Sequence, residues 1–215
     1  MAADRPPALP PPARDALAAV TGAIDARRPT AARPLLVALD GLSGAGKSTL
    51  AQQLVAARDD AAHLPLDDFF AADIPDACWD AMPFDERLAR MWHWQRVRRC
   101  AIEPLLAGRP ARWHAFDFVG GLRPDGTYGL QAQATELAPA AVVLVEGLGV
   151  TAGPLNDLLD LTVLVQLPED VRLQRLAARE EPAFLAAWRR RWDPFQAWYF
   201  GVVRPAKAYD LVVWG

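Results

Sequence analysis

The sequence predicts an α/β fold, a three-layer sandwich with helices on both faces of a central, mostly parallel sheet. Near-continuous apolar runs of strand length occur at 34–40, 141–150 and 160–167, and such runs are typical of parallel strands buried on both faces. Stretches with helical spacing of apolar residues separate these runs, and no series of hairpins is indicated. The length of 215 residues suits one main domain.

Composition and charge narrow the classes of function. The net charge is −3, whereas a general nucleic-acid binder is usually basic. Cys78 and Cys100 are too few for a disulfide framework or a four-cysteine zinc site, so we expect two reduced thiols. No segment approaches the roughly 18 consecutive apolar residues of a membrane helix. We therefore expect a cytoplasmic protein that binds neither membrane nor nucleic acid; a homo-oligomer stays open.

The N-terminal segment is rich in proline. Residues 1–12 predict a disordered tail, and their acidic residues and prolines do not make a secretory signal. Residues 13–33 predict a helix and a linker, because three apolar residues have helical spacing: Leu17, Val20 and Ile24. We assign residues 34–215 to the main domain.

The first half of this domain alternates strand and helix. The run 34–40 predicts a strand, and 47–59 predicts a helix with one apolar face. The stretch 61–70 predicts a second strand that ends in two aspartates. Residues 83–108 predict one long helix, kinked at Pro104.

The second half continues the alternation. Residues 111–130 predict a strand-like segment with a hairpin-type turn at the tripeptide PDG. After the two later apolar runs, 168–180 predicts a helix with proline and two acidic residues in its first turn. A helical stretch rich in tryptophan and arginine follows, and 209–215 predicts the last strand.

The stretch 41–48, GLSGAGKS, matches the phosphate-binding loop (P-loop) pattern G-x-x-x-x-G-K-[ST]. Its glycines let the backbone wrap closely, so that successive N–H groups point at phosphate oxygens. The next helix presents its positive end to the same anion. The residues predicted to contact the nucleotide are Gly41, Ser43, Gly44, Ala45, Gly46, Lys47, Ser48 and Thr49.

Lys47 and Ser48 carry the specific chemistry of this loop. The chain has 23 basic residues, of which only Lys47 and Lys207 are lysines. An arginine fork is too wide for the cradle, whereas an ammonium on a thin stem can reach the β- and γ-phosphates. The Ser48 hydroxyl can ligate Mg²⁺. The loop therefore predicts a site for ATP and Mg²⁺.

Three carboxylates follow strands of the predicted sheet. Asp67 and Asp68 follow the second strand, and Glu146 lies in the run 141–150. Because the carboxyl ends of parallel strands gather around a ligand, we expect all three near the phosphates. Aspartates after a strand also cap helices, and a glutamate can be a plain turn residue, so both alternatives stay open. Asp40 is expected to be a structural partner of the loop.

Transfer of a phosphoryl group also requires cations at the closed site. Arg172, Arg175 and Arg179 have spacings of three and four, which places them on one helix face. They either contact the triphosphate or form a solvated basic face. A second arginine cluster follows at 189–191.

Missing motifs narrow the class further. The sequence has no guanine-reading N-K-x-D motif and no L-S-G-G-Q signature, and it is short for a ring ATPase. A small-molecule kinase remains. In that reading Asp67 orients or deprotonates the acceptor hydroxyl, and Glu146 with Ser48 organises Mg²⁺.

These motifs resemble those of the uridine kinase family, with phosphoribulokinase and pantothenate kinase as more distant relatives. Over 35–215, LDGLSGAGKSTLA resembles the family's glycine loop, LPLDDFF its D-S-F-Y segment, and VEGLGV its E-G-I motif. HAFDFVGGLR resembles its acceptor segment Y-D-F-V-x-H-x-R, and RPAKAYDLVVWG, with Lys207 and Asp210, resembles its C-terminal motif. The resemblance implies a P-loop kinase fold, Asp67 as catalytic base and Glu146 as the Mg²⁺-associated glutamate.

The chain departs from the family in the acceptor segment. Phe70 and Phe116 stand where the family has tyrosines, and Gly121 stands where it has a histidine that helps to hold the pyrimidine. Asp117 and Arg123 are retained. An apolar pocket does not read a base edge as a polar pocket does. The residues predicted to contact the acceptor are Asp68, Phe70, Phe116, Asp117 and Arg123.

Some aromatic residues allow two interpretations. Four tryptophans are either core residues or platforms that stack on a flat acceptor: Trp79, Trp92, Trp113 and Trp192. His114 is either a local hydrogen-bonding residue or a base, and His63 and His93 are expected to be structural.

The sequence thus predicts an ATP- and Mg²⁺-dependent kinase that transfers the γ-phosphoryl group to a small-molecule hydroxyl, with a nucleoside as the acceptor. Two alternatives stay open. One is a kinase for a non-nucleoside alcohol, and the other is an ATP-binding regulatory module without a second substrate.

Overall fold

The computed structural model describes residues 16–215. The tail predicted at 1–12 lies outside the described residues, as does the start of the segment 13–33. The strands are β1 (Leu35–Asp40), β2 (Ala61–Pro65), β3 (Ala111–Trp113), β4 (Thr135–Leu137), β5 (Val142–Glu146), β6 (Leu161–Gln166) and β7 (Leu211–Trp214). The helices are α1 (Ala16–Arg27), α2 (Lys47–Ala57), α3 (Cys78–Ala81), α4 (Phe84–Arg90), α5 (Trp94–Arg96), α6 (Glu103–Leu106), α7 (Glu169–Arg179) and α8 (Pro182–Trp198).

The central sheet has five parallel strands in the order β2-β5-β1-β6-β7. Every residue of β1 and β5 is buried, which explains their uninterrupted apolar sequences. The predicted mostly parallel sheet is therefore confirmed. Because all five strands run the same way, the loops after β1, β2 and β5 meet at one edge of the sheet.

Alternate residues of each strand belong to two separate cores. Val37 and Leu144 pack with α1 and α2 on one face of the sheet. Ala38 and Val145 pack on the other face in a larger core that includes much of α8 and the segment 94–106. The alternation follows from the two-residue period of a strand. Helices thus cover both faces, as the sequence predicts.

The predicted second strand is shorter than expected. The strand β2 ends at Pro65, and a 3₁₀ turn, Leu66–Phe69, follows. Asp67 and Asp68 therefore lie in this turn instead of in the strand.

The single long helix predicted at 83–108 is wrong. The chain leaves the helix between α4 and α5, where Trp92 forms a bridge with Phe70. Ala71 N donates to Met91 O (2.9 Å), and His93 N donates to Phe69 O (2.8 Å). These bonds to a segment about twenty residues earlier replace helical hydrogen bonds. Farther on, a π-helical turn, Val97–Ile102, leads into α6.

The predicted strand-like segment 111–130 contains only one strand, β3, and belongs to a small antiparallel unit that extends to β4. The strand β3 pairs with β4, and the predicted PDG turn closes with Gly126 N donating to Arg123 O (2.9 Å). Arg123 N donates to Thr127 O (2.8 Å) across the same turn. The unit contacts the main sheet's edge through Phe116 N, which donates to Asp68 O (2.8 Å).

Within residues 16–215 no helix is long and apolar enough to cross a membrane.

Candidate functional site

The glycine loop joins β1 to α2 and has the tight backbone that its sequence predicts. Gly44 and Gly46 have positive φ angles of 82° and 94°, a conformation that favours glycine. A Cβ on Gly44 would lie 2.9 Å from Leu176 Cγ, because α7 covers the loop. Gly46 caps the N-terminus of α2, so the first N–H groups of that helix face the loop. This backbone can hold an anion.

Lys47 is buried in the concave side of the loop. Its Nζ donates to Gly41 O (2.9 Å) and Leu42 O (3.2 Å). The loop itself therefore holds the ammonium at the place where the motif requires a positive charge.

Ser48 and Glu146 form a hydrogen-bonded pair beside Lys47. Ser48 Oγ donates to Glu146 Oε1 (2.9 Å), and the His63 Nε2 lies 3.4 Å from the same carboxylate oxygen. Burial alone would raise the pKa of Glu146, but His63, Lys47 and the Ser48 hydroxyl together hold this pKa below its ordinary value. Glu146 is therefore an ionised carboxylate in a nearly buried position.

The oxygen donors of Ser48 and Glu146 fit Mg²⁺, which prefers hydroxyl, carboxylate and phosphate oxygens. The sequence predicts only a structural role for His63, so its position beside Glu146 was not predicted. The signal in the sequence was that His63 is a polar side chain within the otherwise apolar strand β2.

Asp67 and Asp68 are adjacent but differ in their partners. Asp68 Oδ2 accepts a hydrogen bond from Trp113 Nε1 (2.8 Å), whereas no side-chain hydrogen bond of Asp67 occurs among residues 16–215. Surrounding protein, and then the charge of Glu146, raise the pKa of Asp67 to about 6; Lys47 and Arg179 act in the opposite direction. The Asp67 side chain still reaches solvent at the rim of the site. Asp67 is thus an accessible carboxylate of raised basicity.

Asp40 occupies the fully buried position that suits a structural partner of the loop. Its carboxylate accepts hydrogen bonds from six groups: Gly41 N (2.8 Å), Gly149 N (2.9 Å), Thr151 N (3.5 Å), Thr151 Oγ1 (2.7 Å), Tyr199 OH (2.7 Å) and Tyr209 OH (3.0 Å). Burial and the negative charge of Asp40 raise the pKa of both tyrosines. These bonds fix the start of the glycine loop relative to the loop after β5 and the C-terminal region.

Two of the three arginines predicted on one helix face lie against the glycine loop. Arg172 Nη1 donates to Ser43 O (3.2 Å), and the Arg175 guanidinium lies 3.2 Å from where a Cβ on Gly46 would be. Arg179 instead pairs with Glu180 (2.6 Å), although its charge still acts on Asp67.

Two of the three arginines at 189–191 form ion pairs with aspartates. Arg191 binds the carboxylates of Asp76 and Asp80, each with a shortest distance of 2.7 Å, and these bonds raise its pKa. Arg189 pairs with Asp193 (2.8 Å). This geometry leaves α7, and not the cluster 189–191, as the source of cations next to the loop.

The helix α8 also reaches the glycine loop through a residue that sequence reasoning missed. Gln196 is almost fully buried, and its Oε1 accepts a hydrogen bond from Ser43 N (2.8 Å). A glutamine within a stretch rich in tryptophan and arginine carries no sequence signal for this contact.

Three of the five predicted acceptor residues come together. Phe116 is hydrogen-bonded through its backbone to Asp68, and its ring centroid lies 5.3 Å from that of Phe70. Asp117 instead accepts hydrogen bonds from Val119 N (3.2 Å) and Gly120 N (2.9 Å) within its own loop. Arg123 is exposed at the hairpin turn, with its guanidinium against Gly129.

The tryptophans that are candidates for stacking are core residues in this structure. All four are buried in the larger core: Trp79, Trp92, Trp113 and Trp192. The histidines outside the site have local partners. His114 Nδ1 lies 2.9 Å from Gln131 O, and His93 Nε2 lies 2.8 Å from Asp73 Oδ1.

Comparison with known proteins gives matches at the level of the fold. No protein-family model and no curated protein matches this chain. A structure from Bacillus stearothermophilus, provisionally described as a uridine kinase, is 18% identical, with a TM-score of 0.55, over 91% of this chain and 99% of that one. A provisionally described fructose transport system kinase from Silicibacter sp. TM1040 is 22% identical, with a TM-score of 0.54, over 91% and 98%.

A third solved structure extends the range of acceptors. The D-glycerate 3-kinase from Cryptococcus neoformans is 14% identical, with a TM-score of 0.57, over 83% of this chain and 86% of that one. The chain therefore has the fold of these P-loop kinases along nearly its whole described length. The predicted resemblance is confirmed as a shared fold.

Proposed function

We propose that this protein is an ATP-dependent kinase that transfers the γ-phosphoryl group to a hydroxyl group of a small molecule. One observation carries the proposal: a complete phosphate loop, the Ser48–Glu146 pair and the accessible Asp67 carboxylate meet at one edge of the parallel sheet. The three similar structures are each described as a kinase, which supports the same conclusion.

The loop accounts for nucleotide binding. Backbone N–H groups at the start of α2 would hold the phosphates, and Lys47 would neutralise the β- and γ-oxygens. Arg172 and Arg175 already contact or border the loop, so they are the arginines best placed to reach the triphosphate. Phosphoryl transfer consists mainly of positioning and charge neutralisation, which suits such a set.

Ser48 and Glu146 would hold Mg²⁺ with oxygen donors. Bound there, the ion would neutralise charge that develops on the phosphate oxygens.

Asp67 would act on the acceptor. The acceptor oxygen attacks the γ-phosphorus, the bond between that phosphorus and the β,γ-bridging oxygen breaks, and the acceptor proton passes to the Asp67 carboxylate. A base whose pKa lies nearer neutrality takes this proton more readily than an ordinary aspartate. The products are ADP and the phosphorylated acceptor.

Nucleosides and non-nucleoside alcohols both remain acceptor candidates. The uridine kinase-like motifs favour a nucleoside. Phenylalanine at positions 70 and 116 and the absence of an imidazole at Gly121 favour a non-nucleoside alcohol, because these positions have no polar group with which to read a base edge. These departures from the family's acceptor segment are the reason to favour the second class.

An ATP-binding regulatory module remains the candidate from another class. The experiment that separates it from a kinase is ADP release with Mg²⁺ and ATP, measured with and without each member of an acceptor panel. A kinase gives acceptor-stimulated ADP release together with a product that is heavier by one phosphoryl group. Tight ATP binding with no stimulation by any acceptor would support the regulatory module.

A further inference from the structure

The loop after β3 exposes an unusual amount of apolar surface. The exposed fractions are 65% for Phe118, 93% for Val119, 56% for Leu122 and 38% for Leu130. We call these four residues the apolar strip. Large exposed apolar side chains that occur close together often mark a ligand- or partner-binding surface.

The apolar strip is continuous with the candidate acceptor site. The Phe118 ring lies 4.6 Å from the ring of Phe116, and Leu130 pairs with Phe116 as an isolated β-bridge. Phe116 in turn contacts Phe70, and its backbone N–H is bound to Asp68, the neighbour of the candidate base. A series of ring contacts therefore runs from the exposed Phe118 through the buried Phe116 to Phe70, which directly follows the turn that carries Asp67.

The Phe70 ring extends this apolar wall into the protein. It contacts the rings of Trp79 (5.3 Å), Trp92 (5.7 Å) and Trp192 (6.1 Å), all of which are buried. The wall is thus backed by the core and rigid.

Several polar side chains of the same segment already have partners, whereas the Arg123 guanidinium is exposed at the hairpin turn. Asp117 accepts two N–H groups of its own loop. Tyr128 OH donates to Asp76 (3.3 Å), Thr127 donates to Asp125 (2.7 Å), and Trp113 donates to Asp68 (2.8 Å). These bonds leave fewer free polar groups to recognise a polyol or a base, whereas an apolar scaffold needs none of them.

We propose that the acceptor is an alcohol whose hydroxyl is carried on an aromatic or otherwise apolar scaffold. The scaffold lies on the exposed Phe118 ring and its neighbours in the apolar strip, and the hydroxyl reaches Asp67. The proposal rests on the proposed kinase function. Phe118 is then a residue that determines specificity for the acceptor.

The test measures ADP release from Mg²⁺-ATP with two sets of acceptors. The apolar set is benzyl alcohol and naphthylmethanol, and the polar set is uridine, D-fructose and D-glycerate. Both are measured with the wild type, Phe118→Ala and a control, Phe184→Ala, which truncates a phenylalanine of comparable exposure (56%) outside the apolar strip. Size-exclusion chromatography of all three proteins accompanies the kinetics.

We expect the apolar set to stimulate ADP release above the polar set. Phe118→Ala should raise the KM for the apolar acceptor about ten-fold, because one lost apolar contact has an effect of that order. The KM for ATP and kcat should not change, and Phe184→Ala should behave as the wild type.

Three results would overturn the proposal in distinguishable ways. Greater stimulation by a polar acceptor would remove the acceptor class and leave the kinase. No stimulation by either set would remove the acceptor class, and tight ATP binding in the same samples would then support the regulatory module. An unchanged KM in Phe118→Ala, with a change of oligomeric state, would make the apolar strip an interface between copies of the chain.

Discussion

The two neighbouring aspartates show how local contacts assign different roles to identical side chains. Asp68 is tied to Trp113, whereas Asp67 is free of side-chain hydrogen bonds among residues 16–215 and faces Glu146, Lys47 and Arg179 through space. Both have a raised pKa, but only Asp67 is open to an incoming hydroxyl. At the scale of single residues, Asp67 is therefore the candidate base.

Activity should depend on the protonation of Asp67. With its pKa at about 6 in the free protein, Asp67 is protonated at pH 5 and ionised at pH 8, so kcat/KM for the acceptor should rise through pH 6 and then level off. Asp67→Asn should lower kcat about a hundred-fold or more and leave ATP affinity nearly unchanged. Rates between pH 5 and 8 check both statements. Wild-type activity in Asp67→Asn would exclude Asp67 as the base.

Asp67 should also make stability depend on pH: its contribution to stability should fall as pH rises, whereas its contribution to activity should rise. A carboxyl group whose pKa rises from 3.8 to about 6 on folding stabilises the folded state below pH 3.8, and this contribution is lost as pH rises through 6. Asp67→Asn, which stays neutral, should therefore have a higher Tm than the wild type at pH 8 and nearly the same Tm at pH 4. Thermal unfolding at the two pH values measures this. A lower Tm for the variant at pH 8 would contradict it.

The elements that sequence could predict are those determined by local pattern. The runs 34–40 and 141–150 are nearly continuous apolar stretches because β1 and β5 are buried on both faces. The stretch GLSGAGKS determines the loop between strand and helix. The break at Met91–His93 depends on pairing with Phe69–Ala71, and the contacts of His63 and Gln196 depend on tertiary placement. No window of sequence around those residues contains that information.

The glycine loop and α7 form one packed unit, so a side chain on Gly44 should disturb both. An alanine there would combine a φ of +82° with a Cβ only 2.9 Å from Leu176 Cγ. We expect Gly44→Ala to lower the free energy of unfolding by about 1–3 kcal/mol and to weaken ATP binding. The matched control is Gly22→Ala in α1, where a Cβ meets nothing within 4 Å.

In the control, alanine should raise stability by about 0.5–1 kcal/mol, because glycine is unfavourable inside a helix. Urea unfolding and ATP titration of both variants test the comparison. Equal stability of Gly44→Ala and the wild type would show that α7 does not pack on the loop as described.

Across the whole molecule, α8 and the turn that follows it connect the two halves of the candidate site. Trp192 backs the aromatic wall around Phe70, Gln196 binds the backbone of Ser43, and Tyr199 donates to the buried Asp40. The acceptor side and the phosphate side are thus joined through one helix and one buried carboxylate.

Removal of the Tyr199 hydroxyl should measurably lower the free energy of unfolding. Tyr199→Phe deletes a 2.7 Å hydrogen bond to a buried carboxylate, so unfolding free energy should fall by about 1.5–3 kcal/mol. Tyr128→Phe is the control, because its 3.3 Å bond to Asp76 is longer and only partly buried; its effect should stay within about 0.5 kcal/mol. Denaturant unfolding compares the two. Similar losses of unfolding free energy in both variants would contradict a special stabilising role for the buried Asp40 carboxylate.

The two lysines of the chain permit the most direct test of phosphoryl transfer. Lys47 is buried in the glycine loop, and Lys207 is exposed in a 3₁₀ turn near the C-terminus. The measurement is the amount of phosphorylated acceptor formed per ADP released, by mass spectrometry, for the wild type, Lys47→Ala and Lys207→Ala. We predict a ratio of one in the wild type and in Lys207→Ala, with a rate at least about a hundred-fold lower in Lys47→Ala. ADP release without any phosphorylated acceptor, or equal rates in the two lysine variants, would contradict the proposed kinase.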